Sequence, residues 1–109
     1  MPRKSVLEKI LEKLKQIPME NWKIEKSRGR KDYSTKFEGK EIKFRSEHFE
    51  GKYSSYDCIQ LAIINEGTTE YDISSIMSNG APLDGDNLKE QIKTRKEYLT
   101  LYDFEKHLD

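Results

Sequence analysis

Asp57-Cys58-Ile59-Gln60-Leu61-Ala62-Ile63-Ile64-Asn65 is the longest nearly uncharged run in this chain. Ile59, Leu61 and Ile63 alternate with Cys58, Gln60, Ala62 and Ile64. A period of two with both faces semi-apolar predicts a central β-strand flanked on each side.

Glycines set the neighbouring strands. Gly29, Gly39, Gly51 and Gly67 each fall between two strand-like segments. Gly39-Lys40 and Gly51-Lys52 suit two-residue hairpin turns with Gly first, Asn65-Glu66-Gly67 suits a three-residue loop, and Arg28-Gly29 suits a two-residue turn. Each turn implies a register. The first pairs Phe37 with Ile42 and Thr35 with Phe44, and the second pairs Phe44 with Ile59 and Ile42 with Leu61. The loop pairs Leu61 with Tyr71 and Ile59 with Ile73, and the Arg28-Gly29 turn pairs Ile24 with Tyr33 and Trp22 with Thr35. All four put the apolar residues on one common face, which a one-residue slip would break. The expectation is a five-stranded antiparallel meander over residues 21–27, 31–38, 41–50, 53–65 and 68–76.

Outside the strands, Ser5 with Glu8 reads as a capping box. Val6, Leu7, Ile10, Leu11, Leu14 and Ile17 follow at helical spacing until Pro18 ends the run. Ser78-Asn79-Gly80-Ala81-Pro82 reads as a loop. Beyond it Asp84 is a candidate cap, with Leu83 and Leu88 as a staple, and Leu88, Ile92, Leu99 and Tyr102 continue at helical spacing. Thr100 with Asp103 offers a second cap, so a break is expected there, leaving a short piece with Leu101, Phe104 and Leu108. The chain then reads as one α+β domain over 1–109, a two-layer sandwich with the N-terminal and C-terminal helices packed on one sheet face.

Bulk composition agrees with one modest domain. The chain has 109 residues, 34% hydrophobic and 37% charged, with a formal net charge of zero. Ile, Leu, Val and Phe together number 24, just above the level of about 20% at which disorder is expected of highly charged chains. Lys and Arg outnumber Asp and Glu by 15 to 9 in residues 1–52, and the balance reverses to 5 against 11 in residues 53–109. A basic first half and an acidic second half attract each other or give the fold two differently charged sides. One cysteine excludes an internal disulfide, and no run of about 18 apolar residues or signal-peptide core is present. These features point to an intracellular, cytoplasmic setting.

With one sheet face under helices, the other is open. It carries Lys23, Ser34, Lys36, Lys43, Arg45, Phe49, Tyr56, Cys58, Gln60 and Ala62. In the expected registers Lys36 stands opposite Lys43, Arg45 stands opposite Cys58, and Glu70, Asp72 and Ser74 make the last strand an acidic edge. The candidate binding residues are therefore Lys23, Lys36, Lys43, Arg45, Phe49 and Tyr56, with a second basic spot at the turn of Arg28, Arg30 and Lys31. Exposed rings beside cations suit a protein contact, including one with another copy of this chain. They also suit single-stranded nucleic acid, whose phosphates meet Lys and Arg while bases stack on rings. Glu25, Glu38, Glu41 and Glu47 interrupt the strip, and mixed charge is also the ordinary way to keep an open sheet soluble.

Chemistry is sparse by comparison. The only histidines are His48 and His107. His48 is expected to face Ser55, with Cys58 on the opposite sheet face, so no nucleophile–base pair is predicted. Counted from Asp84, the EF-hand positions for Gly and Glu hold Lys89 and Arg95, so the acids there cap a helix and do not form a calcium loop. No zinc spacing, phosphate-binding loop or nucleophile elbow occurs, and no metal or cofactor is predicted. The order helix, antiparallel sheet, helix resembles the layout of double-stranded-RNA-binding domains. Those have three strands and a basic start to the second helix, whereas here five strands are expected and Asp84 and Asp86 hold that place. The functional expectation is a non-enzymatic interaction domain using its open sheet face or a sheet edge. Single-stranded nucleic-acid binding is the alternative, and a small enzyme or inhibitor with a separate groove is the third.

Overall fold

A computed structural model describes residues 4–78, 81–82 and 88–108, with backbone alone for 81–82 and 88–92. Helix α1 spans Val6–Leu14, and a single 3₁₀ turn covers Met19–Asn21. Strands follow as β1 (Lys23–Ser27), β2 (Arg30–Phe37), β3 (Lys40–Glu50), β4 (Ser55–Asn65), β5 (Thr68–Ser78) and β6 (Ala81–Pro82), and α2 spans Leu88–Leu108. All the strands lie antiparallel in one sheet in chain order. The five-stranded meander with both helices on one face is therefore the fold. The two-residue β6, in the segment expected to be loop, adds itself to the end of β5 by pairing Ala81 with Ser78 and Pro82 with Met77. The Asp84 cap and the Leu83–Leu88 staple lie outside the described residues.

The common apolar face is as expected, but three of the four registers are displaced. Thr35 pairs with Ile42 and Tyr33 with Phe44. Phe44 pairs with Leu61, not Ile59, and Ile42 pairs with Ile63. Leu61 pairs with Ile73, and Ile63 with Tyr71. Each displacement is two residues, and because side chains alternate with period two, the same set stays inward. Only the β1–β2 register, Ile24 with Tyr33, is as expected.

Turn chemistry explains the displacements. The β2–β3 turn is Glu38-Gly39, with φ of 52° and 77°, a type I′ turn that takes positive φ at both positions. Glu66-Gly67 repeats it, with φ of 50° and 79°. A two-residue turn there would put the inward set of β5 on the wrong side. A bulge restores it: Ile64 pairs with Thr69 but Ile63 with Tyr71, which leaves Glu70 as the extra residue. Glu70 accepts from Asn65 Nδ2 at 2.8 Å and meets Lys40 Nζ at 2.7 Å. Between β3 and β4, Glu50 pairs with Ser55, so the loop is the longer Gly51–Ser54, closed by Gly51 N–H to the Ser54 carbonyl at 2.8 Å.

Helix α1 starts where Ser5 Oγ accepts the Glu8 N–H at 3.1 Å, so one otherwise orphaned donor is satisfied. Its Leu7, Leu11 and Leu14 are buried. They join Ile17, Trp22, Tyr33, Ile42, Phe44, Ile59 and Leu61 with Leu101, Phe104 and Leu108 of α2 in one core. Phe104 is central among the aromatic rings, at 6.1 Å from Trp22 and 5.3 Å from Phe44, and Phe44 lies 5.7 Å from Tyr33.

Helix α2 corrects two expectations. It is continuous through Thr100, whose hydroxyl donates to the Lys96 carbonyl at 2.8 Å; the side chain is satisfied inside the helix and caps nothing. Its buried stripe is Leu101, Phe104, Glu105 and Leu108, while Leu99 is 51% exposed and Tyr102 38%. Two buried hydroxyls hitch the layers together: Thr35 donates to the Asn21 carbonyl at 2.9 Å and Ser75 to the Thr94 carbonyl at 3.2 Å.

Candidate open sheet face and its hairpin end

The face away from the helices carries the residues expected there, in a different arrangement. On it the two neighbouring strands β2 and β3 form a ladder of opposite charges: Arg30 across from Glu47, Asp32 from Arg45 and Lys36 from Glu41. Lys36 does not stand opposite Lys43, which faces Ser34 on one side and Ala62 on the other. Arg45 faces Asp32 and Gln60, not Cys58. The two-residue displacement exchanges a like-charge contact, which destabilises a sheet, for opposite-charge pairs, which help it.

Side chains close the Asp32–Arg45 pair across the strands, and the other contacts run between neighbours along one strand. Arg45 donates from Nε to Asp32 Oδ1 at 2.7 Å and lies 3.7 Å from Glu47, while Arg30 meets Asp32 at 3.0 Å. Lys23 meets Glu25 at 3.3 Å and Lys43 meets Glu41 at 3.5 Å. The hydrogen bond to Asp32 holds the Arg45 guanidinium even above its ordinary range. All of these groups are part exposed, so each pair contributes little to stability; together they leave the cations of this face beside carboxylates. A shallow depression of about 500 Å³ runs over them, from Lys23 and Asp32 to Gln60 and Ala62.

Past β3 the face changes character. The outward residues of β4 are Tyr56, Cys58, Gln60, Ala62 and Ile64, an uncharged column, all partly exposed. Asp72 and Ser74 on β5 lie across from Ala62 and Gln60, and Gln60 Nε2 donates to Asp72 at 3.3 Å. Glu70, expected on an acidic edge, is drawn into the bulge and onto Lys40, while Asp72 and Ser74 lie on the stretch of β5 where no described strand pairs on the side away from β4, because β6 pairs only with Met77 and Ser78. Burial pushes the Cys58 thiol up, and Glu47 adds to the shift, so the thiol carries little thiolate. At the end of this column Phe49 pairs with Tyr56; Phe49 is 50% exposed and Tyr53, in the adjoining loop, 88%.

The two sheet edges differ. Strand β1 reads Lys-Ile-Glu-Lys-Ser and is exposed throughout, and β6 is two residues ending in Pro82. The charged β1 edge resists pairing with another strand, while β6 pairs only with Met77 and Ser78 and leaves residues 68–76 of β5 without a described strand on the side away from β4. At the Arg28-Gly29 turn Gly29 has φ of 72°, and a Cβ placed on it would lie 2.9 Å from the His48 carbonyl oxygen. Arg30 and Lys31 begin β2, opposite Glu47 and Ser46.

Sequence reasoning missed a cluster on the helix side of the same hairpin. His48 pairs with Asp57, not Ser55, and Nδ1 lies 2.6 Å from Asp57 Oδ1 while Nε2 lies 3.3 Å from Glu50 Oε1. These hydrogen bonds hold the His48 imidazolium above the ordinary histidine range, the Asp57 bond most. Tyr98 of α2 is nearby. Its phenol is pushed up to about 12, mainly by burial and then by Asp57 and Glu105. Glu105 is only 8% exposed, and its Oε2 has no hydrogen-bond partner among the described residues. The correct β3–β4 register would have revealed the His48–Asp57 pair. Cys58 lies on the other face, as expected. Among the described residues no group of His, Cys, Asp and Glu is placed to hold a metal ion, and no helix is long and apolar enough to cross a membrane.

No protein-family model, curated protein or solved structure matches this chain.

Proposed function

We propose that this is a non-enzymatic interaction domain of the cell interior whose open sheet face binds a protein partner. The carrying observation is the uncharged outward column of β4, ended by the half-exposed Phe49 beside Tyr56 and bordered by charges already paired with one another. A neutral strip loses little on leaving water, while fixed charges at its rim select the partner; interfaces are commonly built this way. The charged β1 edge favours contact through the face over strand addition on that side.

Single-stranded nucleic-acid binding has less support. It needs cations free for phosphates, and Arg30, Lys43 and Arg45 lie beside carboxylates.

A second copy of the chain is the simplest partner to test. Light scattering after size exclusion is expected to show mass rising with concentration, and the double substitution Phe49→Glu with Tyr56→Ser is expected to return the protein to monomer. For a different protein as partner, a pull-down from the native source should lose its captured protein with the same double variant. A wild-type monomer at every concentration, together with identical captures by both baits, would remove the proposal. An oligonucleotide that binds at low salt and is lost on Lys43→Glu plus Arg45→Glu would establish the alternative.

A further inference from the structure

Behind the Phe49–Tyr56 pair lies the His48–Asp57 pair, on the same two strands one step further from the loop. The backbone shows how closely the two are linked. Gly51 N–H donates to the Ser54 carbonyl, and His48 N–H donates away from β4, to the Gly29 carbonyl. Antiparallel ladders alternate bonded and non-bonded pairs, and side chains approach most closely across the non-bonded ones. Phe49 and Tyr56 therefore exchange backbone hydrogen bonds, and His48 and Asp57 form the close non-bonded pair next to them. The last residue of β2 paired to this end of β3 is Arg30, at Glu47. From His48 onward, β3 pairs with β4 and not with β2, and the His48 N–H adds its bond to Gly29.

We propose that the proton on His48 is a latch for the β3–β4 hairpin end, closing the Phe49–Tyr56 pair when present and letting it open more often when absent. The proposal rests on the open face being a contact surface, and it makes that contact stronger at lower pH. The imidazolium has a donor for each carboxylate, Nδ1–H toward Asp57 and Nε2–H toward Glu50. Neutral imidazole has one donor and turns a lone pair on the other acid, so two carboxylates then face each other across it. Other charges reach the cluster from the neighbouring elements. Helix α2 brings Tyr98, within reach of Asp57, together with Tyr102 and Glu105 beside it. From β2, Lys31 stands opposite Ser46, one position back on the same face, and Arg28 adjoins Gly29 at the turn. Carboxylates adjoin the imidazole most closely, and they favour its charged form.

Amide hydrogen exchange of the whole chain tests this, read as protection factors so that the intrinsic pH dependence cancels. Protection at Phe49 and Tyr56 is expected to fall about two- to fivefold as pH rises through the His48 titration, the span that an exposed ion pair supplies. In His48→Gln the fall should vanish, and in Asp57→Asn both the His48 ring titration and the fall should move together to lower pH. Equal protection on both sides of the titration, or the same fall in His48→Gln, overturns the latch. Light scattering on the same samples reads the contact surface separately. Association that ignores pH overturns the latch and leaves the surface. A pH-dependent hairpin end in a protein that neither associates nor captures a partner keeps the latch and removes the surface.

Discussion

Replacing Phe104 by Ala should be among the most damaging single changes in this protein. Its ring is 0% exposed and touches the rings of Trp22 and Phe44, so truncation removes the link between α2, the segment before β1 and the centre of the sheet. A buried Phe→Ala change costs about 3–5 kcal/mol, against roughly 5–15 kcal/mol for a whole domain of this size. With a urea slope of about 2 kcal/mol per M, the unfolding midpoint should drop by about 2 M. Trp22 is the sole tryptophan and is buried against Phe104, so its fluorescence reports the transition directly. Where Phe104→Ala is too unstable to purify, Phe104→Leu gives a smaller measurable loss. Leu99→Ala is the control, because Leu99 is 51% exposed and should cost no more than about 0.5 kcal/mol. A loss below about 1 kcal/mol for Phe104→Ala, or an equal loss for Leu99→Ala, would mean that α2 packs by its other stripe.

Three further outcomes are expected. Glu38→Asn and Glu66→Asn should each stabilise by about 0.5–1 kcal/mol, because both glutamates hold positive φ in type I′ turns where Asn is better tolerated; thermal melts that fall in either variant would contradict the turn type. Gly29→Ala should cost about 1–3 kcal/mol, from φ of 72° together with contact against the His48 carbonyl; a neutral change in a denaturant titration would show that the turn relaxes. Because the folded His48 pKa is raised above its ordinary value of 6.5, its contribution to stability is fully present below that value and disappears as pH rises through the folded pKa. Wild-type midpoints should fall relative to those of His48→Gln across that window, and parallel curves would exclude the contribution.

The inward face of the five expected strands could be read from alternation, and the capping of α1 could be read from Ser5 and Glu8. The registers could not, because a two-residue error leaves the pattern unchanged. What separated the alternatives was turn type: Glu38 and Glu66 occupy positive-φ positions, and nothing in a glutamate announces that. The charged ladder and the His48–Asp57 pair were hidden for the same reason, since both depend on which residue stands across the strand and not on which face it occupies. In α2 the sequence offers two competing stripes, Leu99 with Tyr102 and Leu101 with Phe104 and Leu108. Tertiary packing selects the second even though it buries Glu105.

The bulge at Glu70 has a consequence for how this chain can change its length. Between the partners of Ile64 and Ile63 the β5 strand spends one residue more than a regular ladder would, and that residue is Glu70. Deleting Glu70 alone should close the bulge and still set Tyr71 across from Ile63 and Ile73 across from Leu61, with the loss of the ion pair to Lys40. Deleting Asp72 should instead put Tyr71 and Ile73 on opposite faces, so this hairpin should tolerate a lost residue at the bulge and not in the strand beyond it.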